Sequence, residues 1–60
     1  MERIRYNLGT SKGIKHLIEK DYSGDFVILE NLNNMGIVYA VKGRYSSENE
    51  ALTAFEAIKD

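Results

Sequence analysis

His16 is the only imidazole in this sixty-residue chain, and cysteine is absent. No histidine pair or thiolate is at hand to hold a metal, and a Ser-His-Asp relay has a single candidate base. Glu19, Asp21 and Asp25 lie close together with Lys20 among them. These are the residue types that hold a divalent cation in nuclease-like sites, and equally the types that keep a turn soluble. Gly9, Gly13, Gly24 and Gly36 fall where turns explain them, and no Gly-x-x-x-x-Gly-Lys phosphate loop is present. No catalytic constellation emerges and no cofactor is implied. The expectation is a binding protein rather than an enzyme, with His16 a partly exposed strand residue.

Two charged sets remain as candidates for recognition. Arg3, Arg5, Lys42 and Arg44, with Lys15 as a weaker member, can contact phosphates of a nucleic acid. Residues 46–60 carry Glu48, Glu50, Glu56 and Asp60 against Lys59 alone, so the chain ends on an acidic segment. Glu48 and Glu50 suit the first turn of a helix, where the macrodipole favours acids. Glu56 and Asp60 are left to engage a basic channel on a host protein. A net charge of −1 excludes a strongly basic, non-specific DNA coater.

The elements that position these residues must come from one small domain spanning residues 1–60. A chain of this length buries only ~60% of its unfolded surface, which leaves no room for a deep substrate pocket. Apolar residues at 43% and charged residues at 28% are ordinary globular values. Without disulfides or zinc, self-association is the staple that remains for a small core. The start Met-Glu-Arg-Ile-Arg has no apolar leader, and the longest apolar run, Ile37 to Val41, is far short of the ~20 residues of a spanning helix. A cytoplasmic location with no membrane contact is expected.

From Glu2 to Leu8, Ile4, Tyr6 and Leu8 alternate with Arg3, Arg5 and Asn7, the period of a half-buried strand. Segments 25–32 and 37–45 are β-branched and aromatic, and read as a hairpin. Gly9-Thr10-Ser11-Lys12-Gly13 has turn chemistry. Asp21-Tyr22-Ser23-Gly24 and Asn33-Asn34-Met35-Gly36 each place Asp or Asn first and Gly fourth, as hairpin connections do. Ser47-Glu48-Asn49-Glu50 is a capping box, followed by the stripe Ala51, Leu52, Ala54, Phe55 and Ile58. Segment 13–20 is open to two readings. Ile14, Leu17, Ile18 and Tyr22 fit helical spacing, which gives βαββα, but Gly13 in a first helical turn costs roughly 1 kcal/mol. An α+β domain follows, a small antiparallel meander packed by a C-terminal helix, with ββββα preferred over βαββα.

One helix covers one face of a sheet. Strict alternation puts Phe26, Ile28, Tyr39 and Val41, with Ile4, Tyr6 and Leu8, under Leu52, Phe55 and Ile58. Val27, Leu29, Val38 and Ala40 are then left as an uncovered patch bordered by Arg3, Arg5, Asn31, Lys42 and Arg44. Such a patch is an expected oligomer interface or, with its basic rim, a nucleic-acid surface.

The stretch Lys42-Gly43-Arg44-Tyr45-Ser46-Ser47-Glu48-Asn49-Glu50-Ala51-Leu52-Thr53-Ala54-Phe55 is similar to the Gly-x-Phe-x-Thr-x-x-Glu-Ala-x-x-Ala-Tyr segment of the plant ethylene-responsive-factor DNA-binding domain and its phage integrase arm-binding relatives. It equally resembles the Lys-Gly-x-Ser-Leu helix start of positive-cofactor-four-like single-strand DNA binders, which are ββββα dimers. Residues 18–26 resemble the first hairpin of small antitoxin βββα domains. Where the ethylene-factor family carries arginines and tryptophans on its sheet, this chain has Val27, Leu29, Asn31 and Ala40. The resemblance implies a DNA-interacting homodimer or higher homo-oligomer. By type alone, small chains rich in Asn and lacking Cys and Pro are also similar to phage and mobile-element inhibitors of the anti-CRISPR kind, which bind a host protein.

Overall fold

The computed structural model of the chain describes residues 2–9, 13–32 and 38–58. Four strands, β1 Glu2–Leu8, β2 Ile14–Lys20, β3 Phe26–Asn31 and β4 Tyr39–Tyr45, precede one helix, α1 Glu48–Ala57. The strands pair antiparallel with their neighbours in chain order, so the fold is a ββββα meander. Segment 13–20 is a strand because it is central. β2 bonds to β1 on one side and β3 on the other, and its adjacent residues Leu17 and Ile18 are 2% and 0% exposed. Adjacent strand residues point to opposite faces, so β2 is withdrawn from water on both.

Residues 10–12 and 33–37, and with them much of two expected turns, lie outside the described residues. At the turn between β2 and β3, Asp21 Oδ1 accepts from the Ser23 and Asp25 backbone N–H groups, each at 3.0 Å, and from the Ser23 hydroxyl at 2.7 Å. Gly24 takes φ of +92°, which a side chain would resist. An Asp that bonds its own following backbone fixes the turn locally, before any tertiary contact forms.

Ser47 stands in extended conformation and its hydroxyl accepts from Glu50 N–H at 3.1 Å, the cap expected from the sequence. The helix then buries Ala51 and Phe55 against Ile18 and Ile28, with Ile4, Phe26, Tyr45, Leu52, Ala54 and Ile58 packed around them. Each isoleucine that is fully withdrawn from water contributes roughly 1.5–3 kcal/mol before entropy is charged against it.

Residues directly opposite one another in antiparallel strands share a face. The register therefore gives rows that run straight across the sheet. On the helix side these are Lys20–Phe26–Tyr45, Arg5–Ile18–Ile28–Gly43 and Asn7–His16–Glu30–Ala40. On the other side they are Arg3–Glu19–Val27–Arg44, Tyr6–Leu17–Leu29–Val41 and Asn31–Tyr39.

The sheet has three register shifts, of which that between Asn7 and Leu8 comes after the last full row and the other two decide the faces. Between Arg3 and Arg5 the register shifts so that Ile4 is an extra residue, and between Val41 and Gly43 it shifts around Lys42. A one-residue insertion moves every later side chain to the opposite face. Tyr6, Leu8, Tyr39 and Val41, expected under the helix, consequently lie on the open side, and Ala40, expected in the open patch, lies on the helix side. Phe26, Ile28 and Ile4 do pack where alternation put them. Gly43 suits its bulge for a further reason: a Cβ there would come within 2.9 Å of the Tyr45 ring, which lies over the glycine.

Candidate functional site

The open face is built from its middle row. Tyr6, Leu17, Leu29 and Val41 run across all four strands, and the two at the sheet edges, Tyr6 and Val41, are 51% and 61% exposed. Among the described residues no element packs over this row, because the helix lies on the other side against β2, β3 and β4. Leu17 and Val27, on this face, are nonetheless buried. Leu29 is half-buried.

The row beside it is charged. Arg3 has its guanidinium 5.5 Å above the Tyr6 ring, a cation–π distance. Arg44 donates to Asp21 Oδ2 and, at 3.3 Å, to Asp25 Oδ2. The Ser23 hydroxyl first, and Arg44 second, hold the Asp21 carboxyl well below its usual range, while Asp21 and Asp25 raise the Arg44 value. The acids of the Asp21–Asp25 turn, read from sequence as a possible cation site, are thus the counter-ions of an arginine on β4.

This arrangement sets a pH dependence with a definite sign. Asp21 binds its proton less readily when folded than when unfolded, so its contribution is complete above the ordinary value of 3.8 and fades as pH falls below it. Asp21→Asn is expected to flatten that part of the acid limb. Thermal unfolding followed from about pH 2 to about pH 7 checks it, since parallel profiles for the two proteins would remove Asp21 from the account.

The remaining candidate cations are on the helix side. Arg5 Nη1 meets Glu56 Oε2 at 2.9 Å with both side chains at least half exposed, a pair worth ~0–1 kcal/mol. The Glu30 carboxylate has Lys15 Nζ at 3.7 Å, Lys42 Nζ at 3.6 Å and His16 Nε2 at 3.8 Å. His16 is only 3% exposed, not the partly exposed residue expected, and its backbone N–H donates to Asn7 Oδ1 at 2.9 Å. Asn31, placed on the border of the patch, is buried and its amide donates to the Ile14 carbonyl at 3.2 Å.

Of the five cations assigned to nucleic acid, Arg3 and Arg44 lie on the open face, whereas Arg5 and Lys42 reach carboxylates behind it and Lys15 reaches Glu30. Of the four residues assigned to an oligomer interface, Val27 and Leu29 share the open face, Ala40 is behind it, and Val38 is an exposed residue preceding β4. Glu56 is engaged by Arg5, and Asp60 lies outside the described residues. Tyr6, Tyr39 and Val41 are members of the face that strict alternation put behind it, and Leu17 joins them from the segment left open between strand and helix. A glycine beside a lysine in the middle of an edge strand was the available signal for the β4 bulge.

No family model, curated protein or solved structure matches the chain. Among the described residues no helix is long and apolar enough to cross a membrane.

Proposed function

We propose that the chain is a non-enzymatic contact module that docks another polypeptide on the open face of its sheet. The Tyr6–Leu17–Leu29–Val41 row carries this reading, four apolar side chains in line with their edges wet. Apolar surface released from water is worth roughly 25 cal/mol per Å², and patches of this kind on small soluble proteins mark contact surfaces. Charge favours a polypeptide over a polyanion. The face and its turn hold Arg3 and Arg44 against Glu19, Asp21 and Asp25, so uncompensated positive charge, which phosphate binding requires, is lacking there. An inhibitor-like role, with a host protein on this face, is one form of the same reading.

Single-stranded nucleic acid is the alternative occupant, favoured by the two tyrosines that the bulges bring to this side. Tyr6 and Tyr39 can stack bases beside Arg3 and Arg44, with Arg5, Lys15 and Lys42 near the edges. Titration with a thymidine oligonucleotide at low salt separates the two. The polypeptide reading expects no quenching of tyrosine fluorescence. Binding whose log K falls with log salt at a slope worth several phosphates would overturn it.

A further inference from the structure

We infer that the free edge of β4 takes an extended peptide as a fifth strand of the sheet. One apolar side chain of the guest fills the groove between β4 and α1, and a lysine or arginine beside it meets Glu50. This is a second surface, independent of the open face. The groove measures about 460 Å³ and is lined by Tyr45, Asn49, Glu50, Thr53, Ala54 and Ala57. Clefts that hold ligands run from ~300 to ~1,000 Å³.

Backbone groups bring the guest to this edge. β4 has a neighbour on one side only, so every second residue turns its N–H and C=O away from the sheet. The bond from Asp21 N–H to Asp25 C=O, 2.9 Å long, closes the β2–β3 turn and sets the phase. Alternation from that pair points the backbone of Phe26 at β4, that of Tyr45 opposite it back at β3, and that of Arg44 outward. An extended chain can bond both groups of Arg44, as strand-adding peptides do. The Arg44 side chain is clear of the groove, held by Asp21 and Asp25. On the helix side Gly43 presents no side chain, and the Tyr45 ring that lies over it forms one wall of the groove.

Charge selects both the edge and the guest. At β1, the other edge, Arg5 reaches Glu56 on the helix at 2.9 Å, so a charged bridge already joins strand to helix there. In the β4 groove Glu50 is the one charged residue of the lining, and it forms no ion pair among the described residues. A cation on the guest is its complement, and a guest carboxylate is repelled.

The probe is a positional-scanning library of acetylated, amidated heptapeptides, applied to the immobilised chain. Enrichment of valine, isoleucine or leucine at one position and of lysine or arginine near it is expected. In the best peptide, N-methylation of one alternate set of amides is expected to weaken binding at least ~10-fold and of the other set little, because only one set faces β4. Glu50→Lys should turn the basic preference acidic, and Glu50→Gln, which keeps an uncharged side chain of the same shape, should remove it. Ala57→Trp fills the groove from an exposed helix position and should cost at least ~10-fold, while Tyr6→Asp on the open face should cost nothing. No enriched position, equal effects of the two methylation sets, or a basic preference that survives both Glu50 variants would each overturn the inference. Binding lost in Tyr6→Asp but kept in Ala57→Trp would overturn it too, and would place the guest on the open face, leaving the contact reading intact.

Discussion

Phe55→Ala is expected to leave most of the chain unfolded at room temperature. Phe55 is 4% exposed and is the one aromatic ring among the buried residues that join the helix to Ile18 and Ile28. Truncating a core phenylalanine costs about 3–5 kcal/mol, the lost transfer energy plus the cavity left behind. A single core in a chain below ~70 residues rarely supplies more than ~3–5 kcal/mol in total, so the loss consumes the whole margin. Phe55→Leu keeps most of the volume and should cost less than ~1.5 kcal/mol. Urea unfolding followed by far-UV circular dichroism distinguishes them. A cooperative alanine-variant transition near the wild-type midpoint would show that the helix is not what closes the core.

Val41→Asp is expected to weaken docking of a polypeptide on the open face at least ~10-fold, about 1.4 kcal/mol, with almost no effect on the isolated fold. The side chain is 61% exposed, so the monomer already hydrates it, and exposed substitutions of this kind cost within ~0.5 kcal/mol. With a polypeptide docked on the open face, a carboxylate at this position must be stripped of water without a partner. Folding and docking thus respond to different residues. Phe55 governs the first and Val41 the second, and thermal melts at low concentration beside association measurements separate them.

Much of this architecture is legible in the residues because it is encoded locally. Alternation from Glu2 to Leu8 marks β1, the Ser47 cap marks the helix start, and the Asp21–Gly24 signature marks a turn whose bonds lie within five residues. The strand assignment of 13–20 is less so, since Ile14, Leu17 and Ile18 satisfy a helical spacing as well as a central strand. The faces are where reading stops. Ile4 and Lys42 are ordinary residues at ordinary positions, and their status as extra residues is fixed by the partner strand, not by their neighbours in sequence. Arg44 finds Asp21 across a separation of 23 residues, and Arg5 finds Glu56 across 51. Such pairings require the fold before they can be seen, which is why the cations looked like one basic rim when they divide between two faces.

The central claim, that the open face is a polypeptide-contact surface and not a polyanion-binding one, is tested most directly by titrating the chain with a thymidine oligonucleotide at low salt. No quenching of tyrosine fluorescence is predicted, because Arg3 and Arg44 are balanced by Glu19, Asp21 and Asp25 on that face and its turn. Binding whose log K falls with log salt at a slope worth several phosphates would contradict it.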